Sequence, residues 1–371
     1  MVNILVNLSS LIVCTLVFNE IEKCNMNTQK TIVTIGAGIA GVESSVALSK
    51  LGYRVILVEK DKNIGGKINN YYHLFPNNRP AVDIKNYIDE QCRIHDLTIY
   101  KNTEIEKIQK KGERFSVTTS NDDILKADAL LVATGFEYFN GQQKEEYGYK
   151  IYDNVITSVD LEEKLKSGKP ITTVQGKEPK RIAFVHCVGS RDEKSGNHYC
   201  SRLCCVTGVK QAMELNNRFP NSLSYCFYID LRMYSMEYES LYRSAQEKYG
   251  IQFIRGKVSE VSENKEGSLQ IKAEDTLTGR PLKMEVDLVV LLVGMVPGSG
   301  TEKLKSVSAL EANKHGFLQS ADWQLHKNSS SQPGIFLTGT CNGPMSIDET
   351  MEHARSAALE VHSYLQNHSE K

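Results

Sequence analysis

The sequence of 371 residues predicts an α/β protein with two domains of the Rossmann type, and three observations support this fold class. First, an apolar strand over residues 31–35 runs directly into a glycine-rich turn, a helix and a second strand. Second, residues 181–229 repeat the strand, helix and strand order without the glycines. Third, a hydrophobic content of 40% in a chain of this length is enough to bury the cores of two domains.

The first unit has the pattern of a dinucleotide-binding site. Gly36 permits a tight turn, Gly38 lets the backbone approach a pyrophosphate, and Gly41 lets the helix pack closely on the strand. The amides of the first helical turn face the phosphates, and the acid Glu59 at the end of the second strand can accept hydrogen bonds from ribose hydroxyls. A glycine-rich turn of another α/β protein is the alternative. The predicted cofactor contacts of this unit are Gly36, Gly38, Ile39, Ala40, Gly41 and Glu59.

The residues after Glu59 favour FAD over NAD. The run from Glu59-Lys60 to Gly65-Gly66-Lys67, and a buried strand that ends in Ala133-Thr134-Gly135, resemble the two-dinucleotide-binding flavoprotein superfamily that includes thioredoxin reductase. An ordinary glycine loop and a plain core strand are the alternatives. Strands at 287–297 and 334–340 also resemble those of the superfamily. The resemblance therefore implies FAD contacts at Lys60, Gly65, Gly66, Lys67, Ala133, Thr134, Gly135, Gly339, Thr340, Pro344 and Ile347.

The same resemblance implies a thioredoxin-reductase-like fold whose FAD-binding domain is discontinuous. We expect its first part at residues 26–140 and its second part at 285–371, with an inserted domain at 141–284 that the polar linker of residues 140–180 introduces. Because the second unit has no glycine fingerprint, a pyridine nucleotide is not supported there. Residues 1–25 form an apolar extension, interpreted as a wrongly assigned start, with a signal or anchor and a structured segment as alternatives.

Four of the nine cysteines follow the pattern C-x12-C-x3-C-C, at Cys187, Cys200, Cys204 and Cys205. They come from the end of a strand, a loop and the start of a helix, so they can converge. Four thiolates suit an iron-sulfur cluster or zinc. A redox-active thiol pair and purely structural cysteines remain open at this point.

At these cysteines the sequence resembles the A subunits of heterodisulfide reductases and their relatives. The resemblance rests on Cys187-Val-Gly-Ser-Arg-Asp192, on Tyr199-Cys-Ser-Arg-Leu-Cys-Cys205 and on Gly339-Thr-Cys-Asn-Gly-Pro344. It implies that Cys187, Cys200, Cys204 and Cys205 bind a [4Fe-4S] cluster near FAD. The segment after Gly66 lacks the cysteines of fuller members, and no C-x2-C-x2-C-x3-C ferredoxin pattern occurs, so one cluster is expected.

The function that this resemblance implies is electron transfer between FAD and the cluster, within a heterodisulfide-reductase-like complex. Its partners would be other redox subunits or a ferredoxin-like donor or acceptor, and a homodimer stays open. We identify no catalytic acid-base pair. Two alternatives are kept: an autonomous NAD(P)H- or thiol-dependent flavin oxidoreductase that uses redox cysteines, and a noncatalytic subunit that holds a cofactor for assembly.

Charge and cysteine content limit the remaining possibilities. The net charge is -1, which gives no reason to expect nucleic acid as a partner. Membrane association is expected only if the apolar extension is real. Nine cysteines in a chain of this length do not form a disulfide scaffold, and we expect a cytoplasmic protein.

Overall fold

The computed structural model describes residues 29–95 and 97–368 of the chain. The interpretation of residues 1–25 therefore concerns residues outside the described part. The helices are α1 Ile39–Lys50, α2 Ala81–Ile94, α3 Ser158–Ser167, α4 Cys204–Arg218, α5 Met236–Glu247, α6 Ser299–Ser308 and α7 Ile347–Asn367. Within the described residues, none of these helices combines the length and the apolar character that a membrane span requires.

The strands of the first half of the chain are β1 Thr31–Ile35, β2 Arg54–Val58, β3 His73–Leu74, β4 Arg79–Pro80, β5 Thr98–Tyr100, β6 Ile105–Lys111, β7 Arg114–Thr119, β8 Ile124–Ala127, β9 Ala129–Val132, β10 Phe136–Tyr138 and β11 Val155–Thr157. Those of the second half are β12 Arg181–Val188, β13 Leu223–Tyr228, β14 Gln252–Arg255, β15 Val258–Glu263, β16 Leu269–Asp275, β17 Arg280–Val286, β18 Leu288–Val293, β19 Met295–Pro297, β20 Ser320–Asp322, β21 His326–Ser330 and β22 Ile335–Leu337.

The first large sheet combines strands from both ends of the described chain. Its order is β20-β21-β22-β9-β1-β2-β5, and the pairs from β22 to β5 are parallel. The middle strand of the parallel part, β1, is buried along its whole length, as expected for a parallel strand covered on both faces. Helices α1 and α7 cover one face, where Leu48, Ala357 and Val361 pack against Ile32 and Leu131.

The second large sheet is parallel throughout, with the order β11-β18-β12-β13-β14. Helices α3, α4 and α5 contribute Leu161, Val209 and Leu241 to the core on one of its faces. The register between β12 and β18 shifts between Val185 and Val188, so a bulge lies next to Cys187.

Smaller antiparallel pairings complete the architecture. The strands β6, β7 and β8 form one sheet, and β15, β16 and β17 form another. The strands β10 and β19 pair with each other at the two places where the chain crosses between the large sheets. These two crossings therefore lie side by side.

The two parallel sheets with helices confirm the predicted α/β fold class. Residues 140–180, interpreted as a polar linker, contain β11 and α3, because a capping box between Thr157 and Asp160 begins the helix and Leu161 and Leu165 bury its apolar side. The boundary predicted at residue 285 assigns β18 to the second FAD part, whereas β18 lies inside the second sheet between β11 and β12. A continuous apolar run does not specify which sheet it joins.

Candidate functional site

A cavity of about 1050 Å³ extends between the two halves of the molecule. It is lined by the glycine turn, by the loops after β2 and β9, by the starts of α4 and α7, and by β18. The predicted site residues that line it are Gly36, Gly38, Ile39, Ala40, Glu59, Lys60, Gly65, Gly66, Lys67, Ala133, Thr134, Gly135, Cys204, Thr340 and Ile347. The predicted residues Gly41, Gly339 and Pro344 are absent from the cavity wall.

The three glycines of the turn face different surroundings. Gly36 has a φ of +103°, and a Cβ there would lie 2.4 Å from the carbonyl oxygen of Ala133. A Cβ on Gly41 would lie 1.8 Å from the carbonyl oxygen of Gly36, so α1 can lie this close only with glycine at that position. A Cβ on Gly38 would meet nothing within 4 Å. Gly38 therefore presents bare backbone to the cavity, and the other two glycines shape the turn.

The start of α1 fits a phosphate group. Its N-cap is Gly38, no side chain caps the helix, and no acidic residue occupies the first turn. The first-turn amides and the positive end of the helix dipole are therefore available to an anion. Glu59, which is 5% exposed, accepts hydrogen bonds from the amide of Ala37 at 2.7 Å and from that of Asp61 at 2.9 Å. The carboxylate thus holds the turn in place and keeps lone pairs for a ribose.

The paired glycines lie against the turn. The amide of Gly65 donates to the carbonyl oxygen of Ala37 at 2.7 Å, and both Gly65 and Gly66 have positive φ values, of +107° and +57°. Beside them, the Lys67 ammonium lies 5.5 Å from the ring centroid of Tyr138, and burial lowers the pKa of Lys67. The bare backbone, the uncapped helix and the acid at Glu59 together fit the ADP half of FAD.

The start of α7 forms another part of the cavity wall. Ser346 and Glu349 form a capping box, in which the Ser346 hydroxyl accepts from the Glu349 amide and the Glu349 carboxylate accepts from the Ser346 amide. The amide of Gly339, at φ +68°, donates to Nδ1 of His353 at 2.9 Å. Burial lowers the pKa of His353 to about 4, so its imidazole is a neutral acceptor.

The four cysteines of the motif lie around the bulge at the end of β12. Cys187 has a left-handed backbone with a φ of +60°, Cys200 lies in the following loop, and Cys204 and Cys205 begin α4. All four are free thiols. Of these four, Cys204 lines the cavity that contains the glycine turn.

The thiols are close enough to influence one another electrostatically. Burial is the largest cause that raises the pKa of Cys204 well above its usual value, and Cys187, Cys205 and Cys200 raise it further. The pKa of Cys205 is raised to about 12 by burial, with contributions from Cys187 and Cys200. Burial also raises the pKa of Cys187. Four neighbouring sulfurs are the donor set of an iron-sulfur cluster, and a bound metal would displace their protons.

Positive charge accompanies these sulfurs. The guanidinium groups of Arg191 and Arg232 lie close enough to lower the pKa of Cys187 against the larger effect of burial. Nη1 of Arg191 is buried without a hydrogen-bond partner among the described residues. Such a cation fits an anionic group among the thiols. As placed, no three or more His, Cys, Asp and Glu side chains of the described chain form a metal-ion site.

Buried polar contacts hold the cysteine loop. The Lys144 ammonium contacts the carboxylate of Asp192 at 2.9 Å, and these side chains are only 3% and 5% exposed. The Ser201 hydroxyl accepts from the amide of Met295 at 2.8 Å, and the Tyr199 hydroxyl donates to the carbonyl oxygen of Met295 at 2.9 Å. The loop is therefore attached to the chain segment that connects the two large sheets.

Sequence reasoning missed a buried ionic network on the cavity wall. The Lys210 ammonium contacts the carboxylate of Glu162 and lies 3.2 Å from that of Glu214, which in turn contacts Nδ1 of His73 at 2.8 Å. Lys210 is 2% exposed. The spacing of Lys210 and Glu214 on α4 is the only local signal, and i, i+4 pairs usually lie at the surface. A second missed pair is Tyr71 and Tyr138, whose hydroxyls are 2.6 Å apart.

Comparison with known proteins shows which families the chain resembles. Residues 16–163 match the family model of pyridine nucleotide-disulphide oxidoreductases. The chain is 39% identical over 239 residues to the A subunit of the H(2):CoB-CoM heterodisulfide,ferredoxin reductase of Methanothermobacter thermautotrophicus, with 63% of this chain and 36% of the relative covered. It is 31% identical over 422 aligned positions to the iron-sulfur A subunit of the CoB--CoM heterodisulfide reductase of Methanocaldococcus jannaschii, with 91% and 64% covered. The chain thus spans less than two thirds of the length of these curated relatives.

Solved structures with the same fold include two thioredoxin reductases. The T. acidophilum enzyme superposes with a TM-score of 0.62 at 18% identity, covering 90% of this chain and 99% of that one. The Lactococcus lactis enzyme gives a TM-score of 0.61 at 16% identity, covering 91% and 100%. These similarities confirm the predicted thioredoxin-reductase-like fold.

Proposed function

We propose that this chain, which is similar to the A subunits of heterodisulfide reductases, is an FAD-dependent oxidoreductase subunit that transfers electrons between FAD and a [4Fe-4S] cluster. Cys187, Cys200, Cys204 and Cys205 would hold the cluster, and the glycine turn with Glu59 would hold FAD. The structure contributes the observation that supports this proposal most directly. Cys204 and Gly38 line one continuous cavity.

The two groups would supply complementary chemistry when bound: FAD can exchange two electrons together or one at a time, and an iron-sulfur cluster carries single electrons. The residues of the chain would bind and orient both groups. Gly38 and the start of α1 would receive the pyrophosphate, and Lys67 would face the cavity as a half-buried cation. Arg191, which also pairs with the carboxylate of Asp230 at 2.7 Å, would offset part of the negative charge of the thiolates.

The partners are part of the same proposal. We propose that this subunit works in a heterodisulfide-reductase-like complex with other redox subunits, or with a ferredoxin-like donor or acceptor, since the relatives are named as subunits of such reductases. Cytoplasmic localisation is likewise proposed, because all seven cysteines in the described part of the chain are free thiols. Immunodetection of the protein in separated soluble and membrane fractions would test the location.

Cofactor analysis of anaerobically purified protein tests the central proposal. We expect FAD together with iron and sulfide, each near four per chain as a [4Fe-4S] cluster requires. The variant Cys204→Ser should lose iron and sulfide and keep FAD. The matched control is Cys92→Ser, because Cys92 is a buried cysteine of α2 remote in sequence from the motif. Reduced wild-type protein should give the electron paramagnetic resonance signal of a single cluster, and Cys204→Ser should not.

The other outcomes favour specific alternatives. FAD without iron or sulfide after cluster reconstitution would overturn the proposal. If that protein then oxidised NAD(P)H without partners, an autonomous flavin oxidoreductase would replace it. Zinc at the four cysteines with an FAD that no donor reduces would instead identify a noncatalytic subunit.

A further inference from the structure

We infer that Arg202 is a positioning residue that couples the cysteine loop to the cavity-lining start of α7. The identity of the group bound by the cysteines rests on the proposed function, whereas the coupling itself rests on contacts of described residues. Arg202 lies between Cys200 and Cys204 in the sequence, and its side chain reaches residues about 140 positions later. One residue thus contacts a proposed cluster ligand and a wall of the proposed flavin site.

The backbone of Arg202 makes the contact with the cysteines. Its amide donates to Sγ of Cys200 at 3.2 Å. Its φ of +63° lies in the left-handed region, which a long side chain rarely adopts. Such a conformation persists where surrounding contacts enforce it. The side-chain contacts of Arg202 supply that enforcement.

The guanidinium makes three kinds of contact beyond the loop. Nη1 donates to the carbonyl oxygen of Pro344 at 3.0 Å, and Nη2 contacts the carboxylate of Glu349. Nε donates to the hydroxyl of Tyr234 at 2.9 Å. A planar group with five donors can satisfy these acceptors together, which an ammonium cannot do with the same geometry. Together, these contacts of the guanidinium join the second domain to the start of α7.

Glu349 transmits this contact into the wall of the cavity. Its carboxylate also accepts from the amide of Ser346 at 2.9 Å in the capping box, and both Ser346 and Glu349 line the cavity. Lys327 is a further cation close to this pair: burial lowers its pKa, Glu349 raises it and Arg202 lowers it. Moving the guanidinium therefore disturbs the first turn of α7, and moving that turn disturbs the loop around Cys200.

Alkylation of Cys200 in cluster-free, FAD-loaded protein tests the coupling without using activity. The rate of reaction with iodoacetamide is measured at Cys200 by peptide mass spectrometry. We expect Glu349→Gln to raise the alkylation rate of Cys200 about tenfold. The reason is that this variant loses the charge-assisted hydrogen bond with Arg202, which is one of the contacts that hold the loop closed. Glutamine keeps a side chain suited to the capping box, so the charge is the main change.

Four further variants complete the experiment. Arg202→Ala should raise the rate at least as much as Glu349→Gln, and the double variant should match Arg202→Ala alone because the two changes break the same contact. Arg202→Lys should restore part of the protection. The controls Glu352→Gln and Arg243→Ala change exposed charges on α7 and α5 and should leave the rate unchanged.

The results separate this inference from the proposed function. An unchanged rate in Glu349→Gln, or effects that multiply in the double variant, would overturn the coupling whether or not iron is bound. If the coupling is present but wild-type protein binds no iron and sulfide, the proposed function fails alone. In cluster-loaded protein, Glu349→Gln should also shift the resonance signal of the reduced cluster, which is a change that general destabilisation does not produce.

Discussion

Alanine substitutions at Gly38 and Gly41 separate the two roles assigned to the glycine turn. At Gly41 the added methyl would lie 1.8 Å from the carbonyl oxygen of Gly36, and a Cβ there would also lie 3.3 Å from Cβ of Ala133. The clash is with backbone, so α1 must move away from β1. We expect Gly41→Ala to lower the free energy of unfolding by about 3 kcal/mol, as in strongly overpacked cores.

At Gly38 an added methyl group fits the folded protein but would collide with the bound ligand. The φ of -74° suits any residue, and no atom lies within 4 Å of the added methyl. Reduced freedom of the unfolded chain offsets the weaker N-cap preference of alanine, so the free energy of unfolding should change by less than about 1 kcal/mol. The methyl enters the space expected for the pyrophosphate. We therefore expect FAD affinity to fall about a hundredfold, or about 2.8 kcal/mol.

Two measurements are needed on each variant. Urea unfolding of the FAD-free protein, followed by circular dichroism, reports stability, and titration of that protein with FAD, followed by flavin fluorescence, reports affinity. Gly52→Ala serves as a control, because Gly52 has a φ of +88° with nothing within 4 Å and lies at the far end of α1. It should cost about 1 kcal/mol of stability and leave affinity for FAD unchanged.

The reasoning has two separate points of failure. If Gly38→Ala binds FAD as tightly as the wild type, the turn is not the phosphate site. If Gly41→Ala unfolds at the wild-type urea concentration, the close approach of α1 to the turn does not determine stability.

Four further predictions concern buried polar groups. Lys144→Met should lower the free energy of unfolding by about 3 kcal/mol at pH 7, because the buried carboxylate of Asp192 then keeps the exposed Lys257, 3.7 Å away, in place of its close partner. Burial raises the pKa of Asp192, but the hydrogen bond from Lys144 brings it below the usual value. The excess stability of the wild type over Asp192→Asn should therefore be complete above about pH 4 and decline in stronger acid, and a constant difference in urea unfolding would contradict this. Burial lowers the pKa of His353 to about 4 in the folded protein, so acid protonates this histidine more readily in the unfolded chain. The free energy of unfolding of the wild type should therefore fall by up to about 3 kcal/mol between pH 6.5 and pH 4, and His353→Asn should abolish this fall. Lys210→Met should cost about 3 kcal/mol in urea unfolding, and an effect no larger than that of the exposed control Lys248→Met would contradict it.

The features that could be predicted from sequence are those that neighbouring residues encode. The glycine turn is recognisable because the strand, the three glycines and the helix are contiguous. The steric reason is local only for Gly41, because the contact that excludes a side chain at Gly36 comes from the distant Ala133. The order of β12, α4 and β13 follows from apolar periodicity in the same way. The cysteine pattern is also local, although the placement of Cys204 in the cavity wall depends on how α4 meets β18.

The features that could not be predicted depend on partners far away in the chain. From the sequence alone, Lys210 has the pattern of a lysine on a helix surface. In the fold it is buried because α3 places Glu162, and the β3 segment places His73, beside it. Arg202 likewise has no sequence-local reason to contact Glu349. The helices α3 and α6 escape prediction because they are short and mostly polar, with only a few buried side chains each. The sheet to which β18 belongs could not be predicted either, because fully apolar strands fit any parallel sheet.

The position of β22 in the first sheet has a consequence for biosynthesis. This strand pairs with β9, which is made about two hundred residues earlier on the ribosome. Until β22 emerges, one edge of β9 has no strand to pair with, and its residues Ala129–Val132 are all buried in the folded protein. During this time the second domain is translated and can already form its own sheet. We expect the inserted domain to fold first and the nascent flavin half to need protection from aggregation, so that cofactor capture is among the last events of synthesis.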